Sequence, residues 1–322
     1  MQTGAIPPPE WIDEFVLARA SNEVGARSRL FRQVRLGELI PVARGVYRRC
    51  EAVSGTEDDR YLARVHGAQL ATSDRLVFSH HSAAALWALP SVAGWPGNVH
   101  VLGAVESGGR STAALSRHGV GIPGEICELG GLSATSLGRT LADVGSIASL
   151  SEAVAMADAA LAGMQDFAGQ LVRPQLDRSI LSAEIALRGA ARGIRQLRWV
   201  EDFADGDSDS AGESVSRVGM HLIGCPPPIL QQVFFDAAGR IGFADFWWPE
   251  FNLIGEFDGR GKYLRPEFTH GEDTGRIVMR EKVREDRLRA TETRPSVVRW
   301  DWETARSLRL LRNKLRGAGL PV

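Results

Sequence analysis

Three carboxylates in the run IGFADFWWPEFNLIGEFDGRGKY, residues 241–263, are the groups of this 322-residue chain best placed to do chemistry. If Ile241–Trp247 and Leu253–Asp258 pair as a hairpin around Pro249-Glu250-Phe251-Asn252, Asp245 falls opposite Glu256. Strand side chains alternate between faces, so Asp258 shares the face of Glu256 and three acids gather on one side of an apolar hairpin. Like charges about 5 Å apart at Cβ destabilise a sheet by roughly 0.2–1 kcal/mol, and more when buried, so something must offset them. A divalent cation would do so. Mg²⁺ takes one or two carboxylates and leaves the rest of its octahedron to water and phosphate oxygens. An ion held that way can activate water and stabilise charge on a phosphodiester. Exposed strand-edge acids are the bland alternative, and the flanking Phe243, Phe246, Trp247, Ile254 and Phe257 argue for a buried sheet instead.

Two further residues could serve this site. Glu213, on the helix expected before the sheet, could supply or orient a ligand, or could simply pair with Arg217 at i,i+4. Lys262, in GRGKY, could stabilise the phosphorane or activate water, or be a solvated surface lysine. Other chemistries find little support: there is no GxxxxGK[ST], HExxH or GxSxG, and no internal repeat. His80-His81 invites a metal reading, but neighbouring residues point in different directions and no partner stands at i+3 or i+4. Capping or packing at a helix start is the expectation there.

The elements that must position these groups fall into three segments, whereas length alone suggests about two domains. Composition is that of an ordinary globular chain, 44% hydrophobic and 24% charged. At the front, Glu10 to about Asn22 reads as a helix and Arg27–Arg35 as a second, with Leu30, Phe31 and Val34 facing a core. The runs Leu39–Val42 and Gly45–Arg48 then form a small hairpin. That order is a winged helix-turn-helix outline, expected over residues 1–55. It puts Arg27, Arg29, Arg32 and Arg35 on or beside a recognition helix, and Arg44, Arg48 and Arg49 on a wing that can meet phosphates. The middle, 60–165, mixes strands (LVFS, VHVLG) with helices (HSAAALWALP, LGRTLADVG, SLSEAVAMADAAL) as an α+β domain.

A helical linker, 166–208, ends in the acidic hinge DGDSDSAG, the clearest boundary in the chain. The last segment, 209–322, reads as an α/β domain. A helix (Glu213–Ile223) leads to strands 229–235, 241–247 and 252–258, a basic helix (Arg276–Thr291), a strand (Ser296–Trp300) and a final basic helix (Trp302–Arg316). Net charge is only −1, but the ends are basic: +7 from Arg276 onward and +3 over the first fifty residues. Arg280, Arg284 and Arg287 therefore join the front arginines as expected DNA contacts. Cys50, Cys127 and Cys225 are too few and too scattered for a disulfide framework or a metal motif. With no run of about 18 apolar residues and no leader-like start, the expected setting is cytoplasmic, with no membrane partner.

Two resemblances sharpen these expectations. SHHSAAALWALP, the VHV strand and ATSLGRTLADVG resemble the antitoxin domain of AbiEi-type proteins of type IV toxin–antitoxin systems, in which a winged helix precedes such a segment. The likeness covers roughly residues 10–165, carries no catalytic residue, and implies DNA and a cognate toxin as partners. Glu213 in AGESVSR, Asp245 in GFADFWWPE, Glu256 and Asp258 in IGEFDGRGKY, REKVREDRLRA and VVRWDWE resemble a second family, over about 200–322. This is the DUF559 and very-short-patch-repair-like branch of the PD-(D/E)XK, restriction-endonuclease-like superfamily. It implies a Mg²⁺- or Mn²⁺-dependent DNA endonuclease with Asp245 and Glu256 as metal ligands. One departure stands out: Asp258 occupies the place of the usual Lys two residues after the second acid. Either Lys262 or a helix residue such as Lys282 replaces that lysine, or the domain is catalytically silent and the protein is a non-enzymatic antitoxin or repressor.

Overall fold

The computed structural model describes residues 14–20, 25–49, 55–103, 111–119, 124–166, 169–259, 283–284, 287–288, 290 and 294–322. Lys262, Arg280, Lys282 and Cys50 lie outside them, as does most of the Arg276–Thr291 helix. The fold is mixed α/β with several sheets, and the chain divides into two compact units. The first comprises Met1–Ser149 and Gly163–Asp202, the second Leu150–Ala162 and Phe203–Val322. Among the described residues no helix is long and apolar enough to cross a membrane.

The first unit begins with a small antiparallel sheet. Strands β1 (Phe15–Leu17), β2 (Leu39–Ala43) and β3 (Val46–Arg49) lie in the order β1-β3-β2, with helix α1 (Ala26–Arg35) between the first two in sequence. The expected helix over 10–22 is therefore corrected where it is described: Phe15–Leu17 pairs with β3, Phe15 opposite Arg48 and Leu17 opposite Val46. Three successive strand-forming side chains beside an open hairpin edge gain ladder bonds that a short helix would not supply. On α1, Ala26 and Leu30 are buried, whereas Phe31, expected in the core, is exposed.

Helix α2 (Glu57–Leu70) follows, opened by a capping box between Thr56 and Asp59. Then come β4 (Val77–Phe78), α3 (His80–Leu86), β5 (Val99–Leu102), β6 (Leu115–His118), β7 (Ile126–Leu129), β8 (Leu132–Thr135) and α4 (Leu137–Gly145). The five strands form one mixed sheet, order β6-β5-β4-β8-β7, with β5–β6 and β4–β8 parallel. Helix α3 starts on a strained residue, His80 at φ 50°, and stops after Leu86, with Trp87 as its cap and Ala88 turning left-handed beyond it.

Helix α5 (Leu150–Ala162) belongs to the second unit, although it precedes the rest of that unit by some forty residues. Strands β9 (Met164–Gln165) and β10 (Leu171–Arg173) then pair, and α6 (Arg178–Arg188) and α7 (Ile194–Phe203) take the place of the expected helical linker.

In the second unit, α8 (Ala211–Leu222) packs against α5, where Arg217 meets Asp158 at 2.8 Å. The sheet runs β11 (Ile229–Asp236), β12 (Gly239–Trp248), β13 (Leu253–Phe257) and β14 (Ser296–Trp300), in that spatial order. The first three are antiparallel neighbours, and β14 joins parallel to β13. All five residues of β13 are buried, as expected of a strand covered on both faces. One face takes α8, whose Ser216 Oγ accepts the indole N–H of Trp300 at 2.8 Å. On the other, Leu288 packs with Ala244, Ile254, Trp247 and Val297. The expected final helix is two, α9 (Trp302–Ala305) and α10 (Leu308–Gly317), the second capped by Ser307. Cys225 is buried and Cys127 half-buried, both as free thiols.

Candidate functional site

The hairpin register is the expected one: Phe246 pairs with Gly255, Trp247 with Ile254 and Trp248 with Leu253. Continuing it by one residue brings Asp245 to Glu256, and there the ladder changes character. The carboxylate Oδ2 of Asp245 accepts the backbone N–H of Phe257 at 2.8 Å. On the other side of β12 the pairing skips from Leu230–Phe246 to Gln232–Ala244, leaving out Gln231, which has φ 46°. The register is the same on either side of that gap, and the shift in this strand pair lies further along, between Phe234 and Phe235.

Glu213 arrives from α8. It is the third residue of a helix capped by Ser210, and it is 2% exposed. Its Oε1 accepts the Ser210 hydroxyl at 2.7 Å, while Oε2 accepts the Asp209 N–H and the Gln231 side-chain amide, each at 3.0 Å. Burial, then the nearby Asp245 carboxylate, push its carboxyl up to about 7. The alternative pairing with Arg217 is not made, because Arg217 goes to Asp158 and to the Phe203 carbonyl. Glycine makes this approach possible: a Cβ on Gly212 would lie 2.0 Å from the Phe257 ring.

Glu256 is held differently. Arg284 donates to Oε1 at 2.6 Å, and Arg299, its direct neighbour on β14, reaches Oε2 at 2.8 Å. Burial pushes the Glu256 carboxyl upward, and the two guanidinium groups pull against that. Arg284 also donates to the Phe243 carbonyl, and one helical turn on, Arg287 forms a two-pronged pair with Asp236. Asp258 is exposed. The structure thus brings Glu213, Asp245 and Glu256 into one neighbourhood, with Asp245 between the other two in charge interaction. Among the described residues these acids do not converge on a common point as three ligands. The donor chemistry suits Mg²⁺ through Glu213 and Asp245, two carboxylates in mutual repulsion, since the ion needs no more than that from a protein. Glu256 does not fit the ligand role expected for it, because two guanidinium groups already balance its charge.

At the front of the chain, Arg27, Arg29, Arg32 and Arg35 of α1 and Arg44 and Arg49 of the hairpin are exposed. Arg27, Phe31, Arg44 and Tyr47 line one surface groove there. Arg48 differs: it is 3% exposed and pairs with Glu14 at 3.3 Å. It points inward, away from any phosphate, because alternation along β3 turns Val46 and Arg48 to the same buried face.

Sequence reasoning missed a second group, in the first unit. His80 at the head of α3, His100 on β5 and His118 on β6 each offer a ring nitrogen within 4.8 Å of the others. His100 Nδ1 and His118 Nε2 are 3.0 Å apart, and the rings of His80 and His118 stack at 3.6 Å. Burial first, then neighbouring imidazoles, lower the pKa of His80 to about 2 and of His100 to about 4. Only the parallel pairing of β5 and β6 beside α3 unites the trio. The one local signal was that His100 sits inside a strand-like run, VHVLG.

No family model matches the chain. Two curated proteins of Mycobacterium tuberculosis, uncharacterized protein Rv2248 of strain H37Rv and uncharacterized protein MT2308 of strain CDC 1551 / Oshkosh, are each 36% identical to it over 81 residues. That stretch is 25% of this chain and 30% of each relative. No solved structure matches.

Proposed function

We propose that the second unit is a Mg²⁺- or Mn²⁺-dependent DNA endonuclease with a restriction-endonuclease-like fold, and that the α1–hairpin element is a winged-helix-type DNA-binding module. One observation carries this reading: Glu213 is buried and within charge repulsion of Asp245, an arrangement of two acids that costs stability until a cation or a proton joins them. Glu213 and Asp245 would hold the ion, which would supply a polarised water and charge stabilisation at the phosphodiester. Gln231 and Ser210 fix the Glu213 carboxylate, and the Phe257 N–H fixes Asp245. Arg284 and Arg299 bring positive charge to the same neighbourhood, where a DNA backbone would be drawn. The test is cleavage of plasmid DNA by the full chain with Mg²⁺ or Mn²⁺. Activity that disappears in Asp245→Asn and Glu213→Gln supports the proposal, and cleavage indifferent to both substitutions ends it.

A second reading has its own observation. The arginines on Glu256, with Asp258 standing where the resembled family has lysine, favour a catalytically silent unit in a non-enzymatic type IV antitoxin or repressor that binds DNA and a cognate toxin in the cytoplasm. Operator binding that is salt-dependent, survives Asp245→Asn and is lost with the α1 arginines, in a protein that cleaves nothing, would select it.

A further inference from the structure

We infer that His80, His100 and His118 form a binding site for one Zn²⁺-class transition-metal ion in the first unit. The site is independent of the acidic residues of the second unit and does not rest on the function proposed for them.

Three observations point to a ligand. The first is convergence: the three imidazoles come from α3, β5 and β6, and their donor atoms lie within 4.8 Å of one another. Three imidazoles suit Zn²⁺ and its borderline neighbours, and do not suit the oxygen-seeking Mg²⁺. The second is an unmet polar atom. His100 is 8% exposed, and its Nε2 is buried with no hydrogen-bond partner among the described residues. A buried ring nitrogen left in that state is costly. His100 and His118 already crowd nitrogen against nitrogen at 3.0 Å, where at most one proton can sit between them.

The third observation is the surrounding shell. Oδ1 of Asp143 is gripped by Arg139 at 2.9 Å and by Arg188, while its Oδ2 is buried, makes no hydrogen bond and lies 3.9 Å from His80 Nδ1. Ser79 Oγ is 3.0 Å from the same nitrogen. A hydrogen-bond partner on one ring nitrogen is what turns the other nitrogen toward a metal, and here that partner is Ser79 Oγ, with the Asp143 carboxylate beyond hydrogen-bond reach behind it. His80 is also held at φ 50°, a conformation costly for a residue with a Cβ, and that strain aims its ring into the cluster. The ion would tie the head of α3 to the parallel pair β5–β6. His118 is only half-buried, which leaves water room to complete a tetrahedral shell.

The full-length protein, stripped with chelator and kept in excess Mg²⁺, is titrated with Zn²⁺ by calorimetry and with Co²⁺ by visible absorption. The expected result is one tight Zn²⁺ per chain and a Co²⁺ spectrum of tetrahedral, nitrogen-rich type that Zn²⁺ abolishes. His118→Gln should weaken Zn²⁺ binding by about 100-fold or more, whereas His81→Gln, next to the trio but outside it, should leave affinity unchanged. His118 is chosen because it is the least buried ligand, and circular dichroism reports whether the variant folds. If it does not fold, the Co²⁺ spectrum of the unsubstituted protein decides. Absence of a tight equivalent, equal affinity in His118→Gln, a loss in His81→Gln matching that in His118→Gln, or a pale octahedral Co²⁺ spectrum would each overturn the assignment.

Discussion

Arg299 and Glu256 are direct neighbours across the parallel pair β13–β14, and the guanidinium reaches the carboxylate at 2.8 Å on a strand buried on both faces. Arg284 closes on the other oxygen, so an acid in the middle of a sheet is neutralised by two cations of different origin. Removing one partner of a buried pair costs far more than the pair contributes. Arg299→Ala should therefore destabilise the second unit by about 1–3 kcal/mol, below the full penalty because Arg284 remains and both arginines touch solvent. Glu256→Gln should cost at least as much as Arg299→Ala, since it removes the counter-charge of both arginines at once. Urea unfolding followed by hydrogen exchange in β13 and β14 ranks the two variants, and the reverse order would refute this account.

Glu213 gives the second unit a pH signature. Its carboxyl ionises near 4.5 in the unfolded chain and near 7 when folded, so the native state binds the extra proton between those values. This stabilisation is complete below pH 4.5 and is lost as pH rises through about 7, a change of about 3 kcal/mol. Glu213→Gln should flatten that slope and be the more stable protein at pH 8. Added Mg²⁺ should stabilise the native sequence at pH 8 and leave Glu213→Gln unaffected. Exchange protection of α8 measured against pH checks both statements, and identical profiles for the two proteins would contradict them.

The front arginines divide into two kinds. Arg32→Ala and Arg35→Ala remove exposed charge, and each should lower the slope of log affinity against log salt for duplex DNA by roughly 1 per lost phosphate contact. Arg48→Ala should leave that slope alone and instead cost about 1–2 kcal/mol of first-unit stability, because it orphans Glu14 and empties a buried position. Fluorescence anisotropy across a salt series separates the cases. A slope change in Arg48→Ala equal to that in Arg32→Ala would show that Arg48 also meets phosphate.

Gly212 sets how closely α8 approaches β13. Gly212→Ala would place a methyl 2.0 Å from the Phe257 ring, so the ring or the helix must shift. The expected cost is about 1–3 kcal/mol of overpacking, with a roughly 100-fold loss of any metal-dependent cleavage as Glu213 leaves its place beside Asp245. Gly317→Ala, where a Cβ would meet nothing within 4 Å, is the matched control and should be silent. Comparable losses in both variants would argue against a positional role for Gly212.

The helix before the sheet, the hairpin closed at Pro249-Glu250-Phe251 and its register from Phe246–Gly255 to Trp248–Leu253 were legible in the sequence. Those features depend on neighbours two to four residues apart: alternation, a proline in a tight turn, a serine cap before a helix. Tertiary structure decided the remainder. Arg299 reaches Glu256 only because β14 adds in parallel, and Glu213 reaches Asp245 only because a glycine lets α8 dock closely. Phe15–Leu17 became a strand because β3 offered an edge, and α5 joined the second unit because α8 offered a face. His80, His100 and His118 carry no common spacing, and a parallel strand pair beside a helix start brings them together. Local periodicity fixes which way a side chain faces along its own element. What it meets there depends on which distant element packs opposite, and that choice is made by the burial of whole faces and not by any short run of residues.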